Sequence, residues 1–247
     1  KMMADSPMFE PADLSRIRYF IVGGEAMPVP LIGKWHDKGV PIRQGYGLTE
    51  VGPNVTSLNH QDAIRKAGSI GKPNFYYQAK LVDDLGREAG VNELGELILK
   101  GPTVTPGYWR NEKATRETIV DGLFHTGDIM RRDEEGFLFV MDRIKNMYIS
   151  GAENVYPAEV EYMLRNHPSV DSVAIIGVPD EKWGEAGMAF VVLKPGTELS
   201  ESELLTYCQP RIAKYKIPKH VVFLPELPKN DAGKVDRQQL RRISQTQ

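Results

Sequence analysis

The hydrophobic pattern of the chain changes character along its length. An apolar run over 19–22 stops at two glycines, and a segment over 29–38 then repeats its apolar residues at helical spacing. A strand followed by a helix predicts an α/β element. Between 68 and 143 the apolar runs become short and alternate with turns built from glycine, proline and aspartate. That texture predicts a small antiparallel sheet or barrel.

After Arg143 the pattern predicts a compact α+β unit. Its expected elements are a helix from Pro157, strands over 173–178, 188–193 and 220–224, a helix opened by a Ser200-to-Glu203 capping box, and a last helix capped by Asp236. We therefore divide the chain into residues 1–143 and residues 144–247, because the second stretch is long enough for a core of its own.

The composition is that of a globular protein without a strong electrostatic field. Of the 247 residues, 41% are hydrophobic, and 31 Lys and Arg against 33 Asp and Glu leave a formal net charge of −2. Neither nucleic acid nor anionic lipid is expected as a partner at this charge. The single cysteine, Cys208, excludes an internal disulfide and fits a cytoplasmic location. No apolar run reaches the ~20 residues of a membrane helix, so no integral membrane segment is expected.

The first candidate site is the segment Tyr46-Gly47-Leu48-Thr49-Glu50, which follows a short predicted strand. A hydroxyl beside a carboxylate at a glycine turn suits a nucleoside triphosphate. Thr49 can donate to a phosphate oxygen, and Glu50 can hold Mg²⁺, a cation that prefers oxygen ligands. An ordinary turn with a capping threonine is the alternative.

The second candidate site consists of Asp128, in an expected acidic turn, and Arg143, after the next predicted strand. A carboxylate can accept hydrogen bonds from both hydroxyls of a ribose. The arginine offers a rigid fork of donors to the same sugar. The alternative is a turn cap with a surface ion pair, worth only ~0–1 kcal/mol.

The whole stretch from His125 to Glu161 resembles the adenylate-forming superfamily of acyl- and aryl-CoA synthetases, luciferases and peptide-synthetase adenylation domains. The resemblance implies that 1–143 is the C-terminal part of the large AMP-binding domain and 144–247 the small, mobile C-terminal domain. It covers essentially this whole chain but only about the last half of a typical member. The family's Ser/Thr/Gly-rich phosphate loop is not in the sequence, so we expect an enzyme fragment whose N-terminal half is missing.

The resemblance also implies roles for residues of the first stretch. The counterparts of Gly24, Glu25 and Ala26 form a backbone wall beside adenine, and the counterpart of Tyr46, next to Gly47, packs on the adenine ring.

The resemblance implies further roles for residues of the second stretch, 144–247. Lys234, in the loop PKNDAGK, matches the catalytic lysine that relieves repulsion between the acid and the α-phosphate. Lys145 matches the hinge residue, and Gly151 matches a glycine beside the pantetheine tunnel. For either lysine the alternative is a solvated loop residue. For the nucleotide of CoA the sequence offers Trp183, Tyr215 and Lys219, whereas Ile217 stands where some relatives carry a phosphate-binding Arg.

The expected function is that of an ATP-dependent acyl-CoA synthetase for a fatty or other aliphatic carboxylic acid, with ATP, Mg²⁺ and CoA as cofactors and substrates. One alternative is an adenylation domain that loads a carrier protein. The crossover ISGAENVYP over 149–157 argues against it, since the carrier-loading branch usually has a more basic segment. Another alternative is a nucleotide-binding fragment without turnover. We expect the 247-residue chain alone to be inactive. A homodimer is compatible with the sequence.

Overall fold

The computed structural model describes residues 1–24, 27–231 and 233–245. Glu25 and Ala26, which the resemblance places beside adenine, lie outside the described residues. The chain forms two compact units, Lys1–Val140 and Met141–Gln247. The division falls slightly ahead of the expected boundary at Arg143, within a strand.

The first unit contains a four-stranded sheet and an antiparallel sheet. The four-stranded sheet has the order β1-β2-β3-β4, with β1 and β2 parallel, and the other has the order β5-β6-β8-β7 with β9 paired to β8. These sheets confirm the α/β element and the antiparallel sheet expected from the sequence. The elements are β1 (Phe20–Val22), α1 (Val29–Asp37), β2 (Ile42–Tyr46), β3 (Thr56–Ser57), β4 (Lys72–Pro73), β5 (Gln78–Val82), β6 (Leu94–Lys100), α2 (Glu112–Thr118), β7 (Ile119–Val120), β8 (Leu123–Arg132) and β9 (Leu138–Arg143).

Each of the two sheets of this unit packs in its own cluster of buried apolar side chains. Trp35 of α1 packs edge-on against Phe9 and Phe20, with ring centroids 4.9 and 5.1 Å apart. In the antiparallel sheet, Leu97 and Phe124 lie in one buried cluster on adjacent strands. The sequence predicted α1 from its apolar period, but it did not predict α2. None of the residues of α2 is buried, so the helix carries no apolar period to detect.

The second unit is the α+β unit expected from the sequence. Its sheet has the order β11-β10-β13-β12, and β14 runs parallel to β13. No helix among the described residues of the chain is long and apolar enough to cross a membrane. The elements are β10 (Tyr148–Ser150), β11 (Glu153–Val155), α3 (Pro157–Arg165), β12 (Val170–Asp180), β13 (Gly184–Leu193), α4 (Glu201–Cys208), β14 (His220–Phe223) and α5 (Arg237–Ser244).

Strand β12 is buried on both of its faces. Val173 and Ile175 belong to a cluster that includes residues of α3 and α4. Ala174 and Ile176 belong to a second cluster, with Leu240 of α5. Successive side chains of a strand point to opposite faces, so α3 and α5 cover opposite faces of β12. Burial on both faces explains the nearly continuous apolar run over 173–178.

Both predicted helix caps of this unit are present. The Oγ and the main-chain N–H of Ser200 donate to Glu203 Oε2, at 2.6 and 2.8 Å, and the N–H of Glu203 donates to Ser200 Oγ at 3.3 Å. Asp236 Oδ1 accepts the N–H groups of Gln238 and Gln239 at 2.9 and 3.0 Å. Each cap satisfies N–H groups that the first turn of a helix leaves without partners.

The capping box predicts a pH-dependent difference between two acidic residues of α4. Hydrogen bonds from Ser200 lower the pKa of Glu203 below its usual value. A lowered pKa in the folded state stabilises the fold above the unfolded pKa of about 4.3, and this contribution is lost as the pH falls through the folded pKa. We therefore expect Glu203→Ala to lower the urea midpoint at neutral pH more than Glu201→Ala. Both variants remove one charge from the first turn, but only Glu203 closes the box.

The difference between these two variants should shrink as the pH falls through the lowered pKa of Glu203, because the contribution of that carboxylate is then lost. Equal urea midpoints for the two variants at neutral pH would contradict the role of the box.

Candidate functional site

Tyr46 and Asp128 lie on different sheets of the first unit, and their side chains meet. Tyr46 ends β2, and its hydroxyl donates a hydrogen bond to Oδ2 of Asp128. Asp128 is buried, with 2% of its surface exposed. The turn expected at Asp128 is wrong, since Asp128 lies inside strand β8. The glycine before it reads as a turn signal in the sequence but belongs to an irregularity of the strand.

That irregularity directs Asp128 and depends on Glu96 of β6. The register between β6 and β8 shifts after Glu96. Glu96 Oε2 lies 2.9 Å from His125 Nδ1, and Glu96 Oε1 accepts the N–H of Gly127 at 2.9 Å. The hydroxyl of Thr126 donates to a carbonyl of β6 at 2.8 Å and accepts the N–H of Asp128 at 3.1 Å. A bulge of this kind re-aims a side chain, here the carboxylate of Asp128.

Thr49 and Glu50 lie in a short 3₁₀ helix, Thr49–Val51, directly after the loop that follows β2. Thr49 is exposed, and Glu50 is half-buried. The hydroxyl of Tyr108 donates to Glu50 Oε1 at 3.0 Å. Burial, followed by the nearby carboxylate, raises the pKa of Tyr108, so its hydroxyl remains a donor at neutral pH. Sequence analysis missed Tyr108, because it lies in an irregular segment far along the chain from Glu50.

Main-chain contacts fix this 3₁₀ helix. Its last carbonyl, on Val51, accepts the hydroxyls of Tyr77 and of Thr103, the latter at 2.9 Å. The carbonyl of Glu50 accepts the N–H of Thr105 at 2.7 Å. An added Cβ at Gly47 would collide with the main chain of Pro53 and Asn54, so the approach to the helix requires glycine at this position.

Of the three residues expected beside adenine, the structure describes Gly24. The described chain resumes at Met27, whose N–H donates to Gln44 Oε1 at 2.7 Å. Gln44 is 3% exposed and its Nε2 donates to the carbonyl of Ser69 at 3.3 Å. The side-chain amide of Gln44, a residue of strand β2, thus holds the chain at Met27.

Arg143 and Lys145 are exposed and lie near the start of the second unit. Arg143 ends β9, and Lys145 is in a short 3₁₀ helix, Ile144–Asn146. Asp142, directly before Arg143, is 6% exposed. Its Oδ1 accepts the N–H of Arg143 at 2.7 Å and the side-chain amide of Asn146 at 2.9 Å. Its Oδ2 accepts the N–H of Ala158, at the start of α3, at 2.7 Å.

Asp142 therefore performs two tasks that the sequence did not predict. It closes the turn that carries Lys145, and it caps α3, whose own N-cap residue, Tyr156, makes no side-chain cap bond. The only signal in the sequence is that Asp142 ends an apolar strand run.

Gly151 lies between β10 and β11, against Trp183. Its N–H donates to the carbonyl of Trp183 at 2.9 Å, and an added Cβ would fall on the indole ring. Gly151 also has a φ of +62°, which favours glycine. Trp183 lines a pocket of about 590 Å³, together with Tyr215, Ile217 and Lys219. The structure thus brings together the four residues that the sequence analysis considered for the nucleotide of CoA.

Lys219 at this pocket is tied to Asp180. Its Nζ lies 2.7 Å from Asp180 Oδ2, and this hydrogen bond lowers the pKa of Asp180. The other oxygen of Asp180 accepts the N–H of Trp183 at 2.8 Å. One carboxylate therefore binds both the ammonium group of Lys219 and the main-chain N–H of Trp183.

Lys234 is exposed in a tight hairpin of the second unit. Asn230 fixes its main chain: the N–H of Lys234 donates to Asn230 Oδ1 at 3.0 Å, and the N–H of Asn230 donates to the carbonyl of Lys234 at 2.8 Å. Ala232, within the same loop, lies outside the described residues. The hairpin holds the main chain of Lys234 and leaves its ammonium group in solvent.

Because Glu96 makes these hydrogen bonds, we expect its replacement to lower the free energy of unfolding. Glu96 is 17% exposed at its side chain, and hydrogen bonds to charged groups contribute about 1.5–3 kcal/mol. Glu96→Ala should lower the free energy of unfolding of the first unit by about that amount and speed hydrogen exchange at the N–H of Gly127. Glu88→Ala is the matched control, since Glu88 is 51% exposed and its contact with Arg132 is 3.6 Å. The control should cost less than ~1 kcal/mol. Equal losses in urea titrations of the two variants would contradict the role of Glu96.

Comparison with known proteins identifies two family models along the chain. The AMP-binding enzyme family matches residues 1–109, and the AMP-binding enzyme C-terminal domain matches residues 159–234. A feruloyl-CoA synthase of an Amycolatopsis species is 42% identical over 240 residues, which cover 97% of this chain and 49% of that protein.

Solved structures of relatives agree in fold. The o-succinylbenzoate CoA synthetase of Bacillus subtilis, in complex with its acyl-adenylate intermediate, has a TM-score of 0.87 and 39% identity, covering 97% of this chain and 49% of that chain. The same synthetase has been solved with ATP and a magnesium ion. A fatty acyl CoA synthetase of Mycobacterium tuberculosis has a TM-score of 0.63 and 42% identity, covering 98% of this chain and 48% of that chain.

The chain spans about half the length of the curated relatives it matches. The first family model lies within the first unit, and the second family model lies within the second unit. The chain belongs to the AMP-binding enzyme family of adenylate-forming enzymes.

Proposed function

We propose that the chain is part of an AMP-forming acid–CoA ligase, an enzyme that activates a carboxylic acid with ATP and transfers the acyl group to CoA. One observation carries the proposal beyond family membership. Tyr46 and Asp128, assigned to adenine and ribose, lie 82 positions apart in the sequence, yet their side chains form a hydrogen bond. Two residues with proposed roles on neighbouring parts of one nucleoside are therefore in direct contact.

The first unit would supply the nucleoside and phosphate contacts. Asp128 would accept hydrogen bonds from the ribose, and the ring of Tyr46, held by its hydroxyl, would pack on adenine beside Gly47. Thr49 would donate to phosphate oxygen, and Glu50 would hold Mg²⁺. Among the described residues, no group of three His, Cys, Asp or Glu side chains is placed to hold a metal ion. A magnesium ion at Glu50 would take its remaining ligands from phosphates and water, as Mg²⁺ commonly does.

The second unit would supply the mobile groups. Lys234, whose ammonium lies in solvent, would relieve the repulsion between the acid carboxylate and the α-phosphate as the new P–O bond forms and pyrophosphate leaves. Arg143, Lys145 and Gly151 keep the roles that the resemblance implies. Gly24, Glu25 and Ala26 likewise stay predictions for adenine.

The pocket at Trp183 would receive the nucleotide of CoA. Two aromatic rings, of Trp183 and Tyr215, suit a planar base, and Lys214 and Lys219 bring positive charge to the same rim. Ile217 cannot contact a phosphate as an arginine would, so we assign the phosphate contact to the two lysines.

The class of acid is the finer part of the proposal. The sequence analysis favoured a fatty or other aliphatic acid. By their names, the relatives above act on aromatic acids in two cases and on a fatty acid in one. A test of the substrate must therefore include both aromatic and aliphatic acids. A cytoplasmic location and a homodimer stay predictions, and sedimentation would decide the second.

The test uses the full-length protein that contains this chain, Mg²⁺, ATP and a panel of acids including ferulate and aliphatic acids of increasing length. We expect pyrophosphate release that depends on one class of acid, and a thioester once CoA is added. Lys234→Ala should lower acyl-adenylate formation by a factor of about 10² or more, the range of a lost electrostatic contact to the transition state. Conversion of supplied acyl-adenylate to thioester should stay within about twofold, because the α-phosphate is already joined to the acid.

Absence of acid-dependent pyrophosphate release across the panel would contradict the proposed function. Equal losses in both half-reactions would show that Lys234 supports the structure rather than adenylation. Lys229→Ala is the matched control, since Lys229 is a second exposed lysine of the same hairpin.

The hinge assignment predicts the opposite split at Lys145. In Lys145→Pro the ring fixes φ near about −65° and restricts a torsional change. If the enzyme must change conformation at Lys145 between its two steps, acyl-adenylate formation should persist in a single turnover while thioester formation from acyl-adenylate and CoA falls steeply. Rapid-quench measurement of the two half-reactions checks this. Wild-type rates in both steps would mean that Lys145 is an exposed linker residue without a hinge role.

A further inference from the structure

The outer edge of strand β12 is closed by side chains. β12 ends the path of its sheet, and an edge strand presents main-chain groups without strand partners. At Ile175 both groups are satisfied from helices. The N–H of Ile175 donates to Glu161 Oε1 at 2.8 Å, and its carbonyl accepts a hydrogen bond from Nη1 of Arg237.

The two side chains that bind Ile175 also bind each other. Nη2 of Arg237 lies 2.7 Å from Glu161 Oε1. The side chain of Glu161 is 5% exposed and that of Arg237 21% exposed, so solvent screens this ion pair weakly. Arg165 contacts the other oxygen of Glu161 at 3.2 Å but is 44% exposed. The guanidinium of Arg237 is planar, which fixes the directions of its two hydrogen bonds.

This pair spans the edge from one face of the sheet to the other. Glu161 belongs to α3, whose apolar residues pack on one face of β12, and Arg237 is the first residue of α5, which packs on the opposite face. The pair therefore sets where α5 begins relative to the strand.

Main-chain hydrogen bonds and a β-bridge connect the start of α5 to the segment that carries Lys234. The N–H of Asp236 donates to the carbonyl of Pro228 at 2.8 Å, Lys229 and Val235 form a β-bridge, and Asn230 holds the main chain of Lys234. The segment that carries Lys234 is thus closed on itself, and Arg237, directly after it, anchors its end to the sheet.

We propose that Glu161 and Arg237 are positioning residues for Lys234, and through it for acyl-adenylate formation. This inference rests on the proposed function. Arg237 is three positions along the chain from Lys234, so a shift of α5 on the sheet moves the hairpin with it. A displacement of about 1 Å in a group that must meet a reacting centre can cost about 10²-fold in rate.

The activity test uses Arg237→Met in the full-length protein. We expect acyl-adenylate formation to fall by a factor of about 10–10², and thioester formation from supplied acyl-adenylate to stay within about twofold. In a Lys234→Ala background, Arg237→Met should produce no further loss, because its effect acts through the lysine. Arg165→Met is the matched control: it removes an arginine from the same carboxylate without touching α5, and it should leave both half-reactions within about twofold.

A second test does not depend on activity. In the 247-residue chain, Arg237→Met should speed hydrogen exchange at the N–H groups of Asn230 and Lys234, which close the hairpin. Exchange at Ala174 and Ile176, within the pairing of β12 with β13, should stay as in the wild type. Arg165→Met should leave both sets unchanged.

The outcomes separate the inference from the function on which it rests. A wild-type protein that releases no pyrophosphate overturns the proposed function, and with it the positioning role in adenylation, while unchanged exchange at Lys234 in Arg237→Met overturns the positioning itself. Equal losses in both half-reactions, or a further loss in the Lys234→Ala background, also overturn it. If exchange at Ala174 shows that Arg237→Met does not fold, Arg237→Lys, which keeps the charge but lacks the fork, is held to the same criteria.

Discussion

Carboxylates that accept hydrogen bonds from main-chain N–H groups hold a strand irregularity, the start of a helix and the edge of a sheet in place in this protein. Glu96 binds the N–H of Gly127, Asp142 binds that of Ala158, and Glu161 binds that of Ile175. These carboxylates are largely withdrawn from water, and a carboxylate in that position stabilises the fold only while its donors stay aligned. Each bond is therefore a constraint on geometry, because the bound segment cannot move without leaving a charge poorly solvated.

The residues that hold the structure in place differ from the residues to which we assign contact with substrates. Residues to which we assign contact with substrates, such as Thr49 and Lys234, are exposed and carry few restraints on their side chains. Their main chains are restrained instead, by hydroxyl groups that bind the last carbonyl of the 3₁₀ helix and by Asn230 within the hairpin. A fixed main chain with a solvated side chain gives a group that can reach a ligand at little cost in reorganisation. Asp128 differs, because its carboxylate is buried and already oriented by Tyr46.

Periodicity and cap chemistry predicted much of the fold because both are local. The helix α1, the strand β12 and the capping box at Ser200 each follow from residues within a few positions of one another. The resemblance named Tyr46 and Asp128 but not the bond between them. Asp128 was misplaced in a turn, since the sequence does not distinguish a glycine that ends a strand from one inside a bulge.

The carboxylates that bind main-chain N–H groups could not be predicted from the sequence, for a different reason. Glu161 is one charged residue in an amphipathic helix, and its partners lie 14 and 76 positions away in the sequence. A charged residue at such a position is usually solvated, and only the three-dimensional course of β12 and α5 brings donors to it. The site is thus predictable where a motif concentrates residues along the chain, and unpredictable where tertiary structure assembles them.

The most direct test of the account is the fate of oxygen from the acid. The full-length protein would be given ATP, CoA and the panel acid with the highest pyrophosphate release, labelled with ¹⁸O in its carboxylate. If the acid attacks the α-phosphorus and CoA then takes the acyl group, one carboxylate oxygen remains on the phosphate, so mass spectrometry should find one ¹⁸O in each AMP formed. AMP without label, or label in orthophosphate formed together with ADP, would contradict an acyl-adenylate intermediate and the function proposed for this chain.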